Sequence, residues 1–415
     1  MIDLRERELE NGLPLVQLGM AGTRAVTVLV AFDAGARTER ADENGMAHFL
    51  EHMVFKGGEK YPTYRDVNKT AERLGAQLNA YTSHDVVAFH VTCRAESVMD
   101  AADLLTDFVA KARVDADELD RERGVVIQEI ARYNDQPASV ASHLIDEAAF
   151  GEHPLGRPVL GPTEHLETFS RDAVLAFRER RWSPRGGGAF VAGDLSAVDE
   201  DRLAELFTRF PDRDDAPAPD PAPGFERRVL VRPQDTNQSH LRLHWRPPTE
   251  PTDLRQRAAL AVYSTLLGGS MGSRLFDEIR EQRGLCYAIS AGSYNHSDTP
   301  VLLVSSGLDS SKCEEAYRRI REIVEELAAD GPTEEEVERA RAYAAGSTVL
   351  ALEGTGAVAR RAAGQKVTFG EIVSPEVVIE ALDSVTYGEV REVAAGIQGA
   401  PTVACVGRHE VADFE

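Results

Sequence analysis

Residues 76–93 read AQLNAYTSHDVVAFHVTC, and residues 286–307 read CYAISAGSYNHSDTPVLLVSSG. Each is a strand, a polar turn and a second strand, with side chains alternating at period two. Each also sits at the same place in a longer order. In the first copy a strand over 25–32 leads to helices near 46–56 and 64–74, then the hairpin (strands 76–82 and 86–93), then a helix over 96–112. In the second copy a strand over 239–245 leads to helices over 254–268 and 273–282, then the hairpin (286–294 and 301–307), then a helix over 311–328. This order predicts an α+β fold made of two structurally similar α/β sandwich domains, a duplicated unit; two unrelated α/β domains are the alternative. The stretch PDRDDAPAPDPAPG, residues 211–224, offers no core residues and reads as an extended, stiff linker. The expected domains are therefore 1–210 and 225–415, each of ordinary size.

Composition bounds the function. The chain has 415 residues, 42% apolar and 28% charged, the balance of a soluble globular protein. It lacks the run of about 18 apolar residues that a membrane span requires. The opening MIDLRERELENG has no apolar stretch and does not read as a secretory signal. Cys93, Cys286, Cys313 and Cys405 are far apart and form no C-x-x-C pair, which argues against a cysteine zinc site and against a disulfide framework. A cytoplasmic protein with free thiols is the simplest reading. The net charge of −23 disfavours nucleic acid and anionic membranes as partners. It suits a basic peptide, although an acidic surface also serves solubility alone.

The most chemically informative stretch is GMAHFLEHMVFKGG, residues 45–58. His48 and His52 are four apart on a helical run and share a face; Glu51 flanks it. Two imidazoles one turn apart can share a metal, and a carboxylate beside them can take a proton from water, the inverted H-x-x-E-H pattern. Chance gives on the order of 0.03 such pentapeptides in a chain of this composition. Hydrolytic zinc sites take three protein ligands, so one more is needed. DADELDRERGVVIQEIARY, residues 115–133, is a second helical stretch with an acidic start and apolar residues at helical spacing. Glu122 and Glu129 share a face there, and Glu129 is bracketed by Ile127, Gln128 and Ile130. By itself Glu129 reads more readily as a carboxylate on a solvated helix face.

With Glu129 lying 77 positions after His52 within ERGVVIQEI, the chain resembles the pitrilysin, insulinase and mitochondrial processing peptidase family over nearly its whole length. The resemblance implies a Zn2+ endopeptidase acting on peptides or unfolded polypeptides. It implies zinc ligands His48, His52 and Glu129, Glu51 as general base, and Glu122 as a supporting residue that orients His48 or His52. It implies that the strand GAQLNAYT (75–82), with Asn79 and Ala80, binds substrate as an added strand. In the second half, GGSMGSRLFDEIREQRGLCY (268–287) supplies Arg280 and Tyr287, which match family residues that bind the substrate backbone and help stabilise the oxyanion. The second half has apolar and small residues where the first has its histidines, so it is expected to lack a metal site of its own. Relatives of this length close as two-chain chambers. A chain carrying both the zinc motif and the Arg/Tyr pair favours a homodimer, with a heterodimer open. The resemblance also leaves room for a non-catalytic assembly subunit, a partner that activates another subunit, or an aminopeptidase. His84, His90 and His244 read as structural or solvent-facing.

Overall fold

In the computed structural model, which describes residues 2–415, the repeated pattern becomes repeated topology. The strands are β1 Ile2–Glu8, β2 Pro14–Met20, β3 Ala25–Phe32, β4 Gln77–Thr82, β5 Val87–Arg94, β6 Gly187–Gly193, β7 Val229–Pro233, β8 Gln238–Trp245, β9 Cys286–Asn295, β10 Pro300–Asp309 and β11 Thr402–Gly407. Among the described residues they form a six-stranded sheet, β1-β2-β6-β3-β5-β4, and a five-stranded sheet, β7-β11-β8-β10-β9. Apart from the additional β1, the two orders superimpose strand for strand. The senses agree too. β2 runs parallel to β6 as β7 does to β11, and each remaining pair is antiparallel. The mixed α/β architecture with two similar sheets is thus the one expected.

Helices α1 Met46–Val54, α2 Tyr64–Leu74, α3 Val98–Ala110, α4 Ala116–Asn134 and α5 Pro137–Phe150 follow in the first part of the chain. Strand β3 is buried on both faces. Its alternate residues Val26, Val28, Val30 and Phe32 face one core, with Phe49, Leu50 and Met53 of α1 and Leu104, Leu105 and Phe108 of α3. Leu29 and Ala31 face a second core, closed by Val358, Ala359, Ala362 and Ala363 of the helix Thr355–Phe369.

That second core reveals something periodicity does not. The chain divides into two compact units that are not contiguous in sequence. Unit one comprises 1–130, 158–220 and 351–376; unit two comprises 131–157, 221–350 and 377–415. The helix Thr355–Phe369 covers the first sheet over β3 and β6, while α5 covers the second over β8 and β11. Each half of the sequence therefore contributes one helix to the other half's sheet.

Element ends differ from expectation by up to four residues, and the widest difference has a local cause. The helix expected over 254–268 is α-helical over Leu254–Ser264 and continues as a π-helical turn, Thr265–Gly269. A Cβ on Gly268 would lie 2.5 Å from the Ala291 backbone nitrogen, so glycine lets the helix end press onto β9. The segment after it is anchored by Arg274, whose Nε and Nη2 donate to the two carboxylate oxygens of Glu336 at 2.6 and 2.9 Å. Among the described residues, no helix is long and apolar enough to cross a membrane.

The Arg274–Glu336 pair yields a pH prediction. Burial raises the Glu336 carboxyl, but hydrogen bonds from Arg274 and Thr333 outweigh it and hold it down at about 2, against an ordinary 4.5. A depressed carboxyl contributes stability above pH 4.5 that is lost as the pH falls toward 2. Glu336→Gln should cost about 1–2 kcal/mol at neutral pH after solvent screening. In urea titrations at a series of pH values, the gap between wild type and variant should narrow on acidification below pH 4.5. A gap independent of pH would show that the ion pair does not hold the segment.

Candidate metal centre

Helix α1 starts without a side-chain cap of its own. Gly45 sits at φ 100°, in the left-handed region, and its Cβ position would lie 2.7 Å from the Leu160 carbonyl. The free N–H groups are met from outside the helix. Buried Glu39 accepts from Gly45 N at 2.9 Å, Ala47 N at 2.7 Å and the Asn44 side-chain amide at 3.0 Å. Burial pushes this carboxyl up to about 8 against the pull of those hydrogen bonds. The bonds fix the start of the helix. With Phe49, Leu50 and Met53 in the core, the phase of the helix is fixed as well, and His48, Glu51 and His52 emerge on the remaining face.

Helix α4 brings its two glutamates to that face. Glu129 Oε2 lies 3.8 Å from His48 Nε2 and 3.4 Å from His52 Nε2. One ligand atom from each of His48, His52 and Glu129 lies within 4.8 Å of the others. The two imidazole rings are 4.6 Å apart at their centroids, inclined at 64°. His48 is 9% exposed, and its Nδ1 is buried with no hydrogen-bond partner among the described residues. Burial first, and then the neighbouring His52, push its pKa down to about 3, so the ring is neutral with a lone pair to offer.

Glu122, 6% exposed, sits behind His52. Its Oε1 is 2.8 Å from His52 Nδ1, and its Oε2 is ion-paired with Lys56. A proton on Nδ1 directed at Glu122 leaves the Nε2 lone pair facing Glu129. Burial works against a charged His52, but Glu122, Glu51 and Glu129 outweigh it and raise its pKa. Burial likewise raises Glu122, yet the bonds from His52 and Lys56 prevail and hold it below the usual carboxylate range. The donor set of two imidazole nitrogens and one carboxylate oxygen, with a carboxylate behind one imidazole, fits a zinc ion that keeps one position open.

Glu51 is largely buried beside this group. Its Oε2 accepts from Thr82 Oγ1 at 2.5 Å, at the end of β4. Burial raises its pKa against the pull of Thr82 and His52. Asn79 and Ala80 lie on the same strand, paired with His90 and Phe89 of β5. β4 ends the sheet, and among the described residues no strand pairs with its outer edge. Asn79 is exposed, and its side-chain oxygen accepts from Ala80 N at 2.9 Å.

Arg280 and Tyr287 belong to unit two, whereas the residues above belong to unit one. Arg280 lies on the π-helical stretch Phe276–Gln282, over the Phe276 ring at 4.5 Å, with Glu281 3.3 Å from its Nη1. Tyr287, near the start of β9, is 83% exposed. Of the other histidines, His90 and His244 are buried on β5 and β8, with pKa values pushed down by burial to about 4 and about 3.

Sequence reasoning singled out neither Thr82, Lys56 nor Glu39. Lys56 carried a usable signal, being four residues beyond His52 on the same face. Thr82 and Glu39 carried none, because each reaches α1 from another segment of chain.

The family model described as Insulinase (Peptidase family M16) matches residues 17–163, and that described as Peptidase M16 inactive domain matches 168–343. The chain is 29% identical to the uncharacterized zinc protease YmxG of Bacillus subtilis, covering 93% of each. It is 30% identical to an uncharacterized zinc protease of Streptomyces coelicolor, covering 97% of this chain and 89% of that one. The crystal structure of a peptidase M16 inactive domain from Pseudomonas fluorescens shares the fold at a TM-score of 0.89 and 18% identity, over 99% of both chains. Two adjoining family matches across most of the chain, and relatives aligned nearly end to end, make this protein a member of the insulinase family of peptidases, M16.

Proposed function

We propose that the chain is a zinc-dependent endopeptidase that hydrolyses peptides or unfolded polypeptides. The observation that carries this reading is the convergence of His48, His52 and Glu129, within 4.8 Å, beside Glu51, a largely buried carboxylate on the helix of the two histidines. His48 and His52 through Nε2, and Glu129 through its carboxylate, would hold the zinc. When bound, zinc supplies Lewis acidity, which polarises a carbonyl and acidifies water. Glu51 is the proposed base. A carboxyl that burial raises above its usual range is suited to accept a proton from the attacking water and return it to the leaving amine. Thr82 occupies Oε2, so Oε1 is the atom assigned to that transfer. Glu122 holds the His52 tautomer, and Lys56 keeps Glu122 ionised.

The outer edge of β4 is the proposed substrate track. An extended peptide laid along it would gain main-chain hydrogen bonds with little demand on side-chain identity, which suits a broad peptidase. Asn79 retains its amide nitrogen to donate to a substrate carbonyl near the scissile bond. Arg280 and Tyr287 are the proposed donors to the developing oxyanion. The assembly proposed is a homodimeric chamber, to which the high exposure of Tyr287 lends support. A reducing cytoplasm is the proposed setting, consistent with four free cysteines.

Three variants test the roles. Glu51→Gln should keep stoichiometric zinc while turnover of a quenched fluorescent peptide falls by about 10²–10⁴-fold. Undiminished cleavage by that zinc-loaded variant would remove Glu51 as the base. Glu122→Gln should weaken zinc binding by about 10–100-fold in chelator competition, since the His52 tautomer loses its charged partner; unchanged affinity would reduce Glu122 to packing. Tyr287→Phe should lower kcat by about 10²-fold with zinc content unchanged. An unaltered kcat would detach Tyr287 from the reaction.

A further inference from the structure

Unit two buries a sulfur–nitrogen cluster that the proposed peptidase chemistry does not use. Cys313 opens the helix Cys313–Asp330, and Cys405 lies in the middle of β11; both are inaccessible to solvent. His409 follows that strand and is 6% exposed. Ligand atoms of Cys313, Cys405 and His409 all lie within 4.8 Å of one another. The imidazole is held from two sides. Its Nε2 is 2.9 Å from Ser239 Oγ, and its Nδ1 is 3.4 Å from Asp413 Oδ2. Whichever ring nitrogen faces a metal, the other retains a partner that fixes the ring and its tautomer. Asp413, only partly buried, holds the Nδ1 side of that ring.

We propose that Cys313, Cys405 and His409 form a second, structural zinc site in this protein. The donor chemistry selects the ion. Two thiolates and an imidazole suit zinc and reject magnesium or calcium, which take oxygen ligands. In a tetrahedral site with Zn–S of about 2.3 Å and Zn–N of about 2.0–2.1 Å, neighbouring ligand atoms stand roughly 3.5–4 Å apart. The observed cluster therefore needs only a small closure, within the reach of side-chain rotation. Binding exchanges the two thiol protons for the metal and releases them to solvent, so no oxidant is involved. Without metal, the contact with Cys405 and burial hold the Cys313 thiol well above its usual range, and neither sulfur is exposed as a nucleophile.

Such an ion would join three segments: the start of the helix Cys313–Asp330, strand β11, and residues 409–414 beyond it. The last of these already docks on that helix. Phe414 is fully buried, and its carbonyl accepts from Tyr317 Oη at 2.9 Å and from Arg227 Nη2 at 2.7 Å. A metal at His409 would pin the other end of the same segment.

The test uses the full chain loaded with cobalt(II) in place of zinc. The H48A/H52A variant removes the first centre's imidazoles and leaves both cysteines intact. It should still bind about one cobalt per chain and show the near-ultraviolet thiolate-to-cobalt charge-transfer band. C313S/C405S should lose that band and retain about one cobalt per chain, held by the other centre. An H48A/H52A protein that binds no cobalt, or binds it without the thiolate band, overturns the proposal. So does mass spectrometry showing Cys313 and Cys405 joined as a disulfide in the protein as isolated. The decisive band is read in a protein whose cysteines are untouched, so misfolding of C313S/C405S would not rescue the idea. Failure of the histidine centre would appear separately, as wild-type cobalt content unchanged in H48A/H52A.

Discussion

Helix α1 has to satisfy two demands with nine residues: bury one face in the sheet core and bring His48, Glu51 and His52 to the other. At 3.6 residues per turn, Phe49, Leu50 and Met53 can go inward only if His48, Glu51 and His52 come out together. A rotation of the helix by one position would bury an imidazole among aromatic rings and expose a phenylalanine, losing about 2–3 kcal/mol of apolar burial at once. The phase is therefore secured by the core rather than by the metal. Glu39 sets the start of the helix by accepting from Gly45 and Ala47, and Gly45 takes a backbone conformation open to few other residues. With start and phase fixed, the face meeting α4 is preformed, and Glu122 and Glu129 need only arrive on one side of a second helix.

Duplication lets two copies of one framework carry different residues. The two sheets share strand order and sense, so their hydrophobic faces ask for the same covering helices. The first copy places His48 and His52 on the helix after its third strand. The equivalent helix, Leu254–Ser264, carries alanines and leucines and runs into a glycine-rich π-helical turn. The segment that follows carries Arg280 and Tyr287. The reciprocal placement of α5 and the helix Thr355–Phe369, each on the other half's sheet, ties the units together covalently in a way that a single linker would not.

Much of this was legible in the residues. The period-two hairpins at 76–93 and 286–307 disclosed the repeat, and the pentapeptide at 48–52 pointed to the His48–His52 cluster, because both are local patterns. Glu129 was legible only through likeness to a family, since nothing in its own helix distinguishes a ligand from a solvated carboxylate. Thr82 and Glu39 act across the fold and left no local trace. The helix exchange was invisible for the same reason, as periodicity says which face of a helix is apolar but not which sheet it covers. Cys313 and Cys405 were read as too distant for a shared site. Strand β11 and the helix Cys313–Asp330 bring them together beside His409, a juxtaposition that spacing along the chain cannot express.

The central claim is that His48, His52 and Glu129 together hold a catalytic zinc. Anomalous diffraction at the zinc edge, from crystals of the zinc-loaded protein, tests it most directly. The account predicts a peak about 2.0–2.2 Å from the Nε2 atoms of His48 and His52 and from a Glu129 carboxylate oxygen, with a coordination position left to solvent. Zinc-loaded crystals with no anomalous density between these three side chains, or with density there that excludes Glu129, would contradict it.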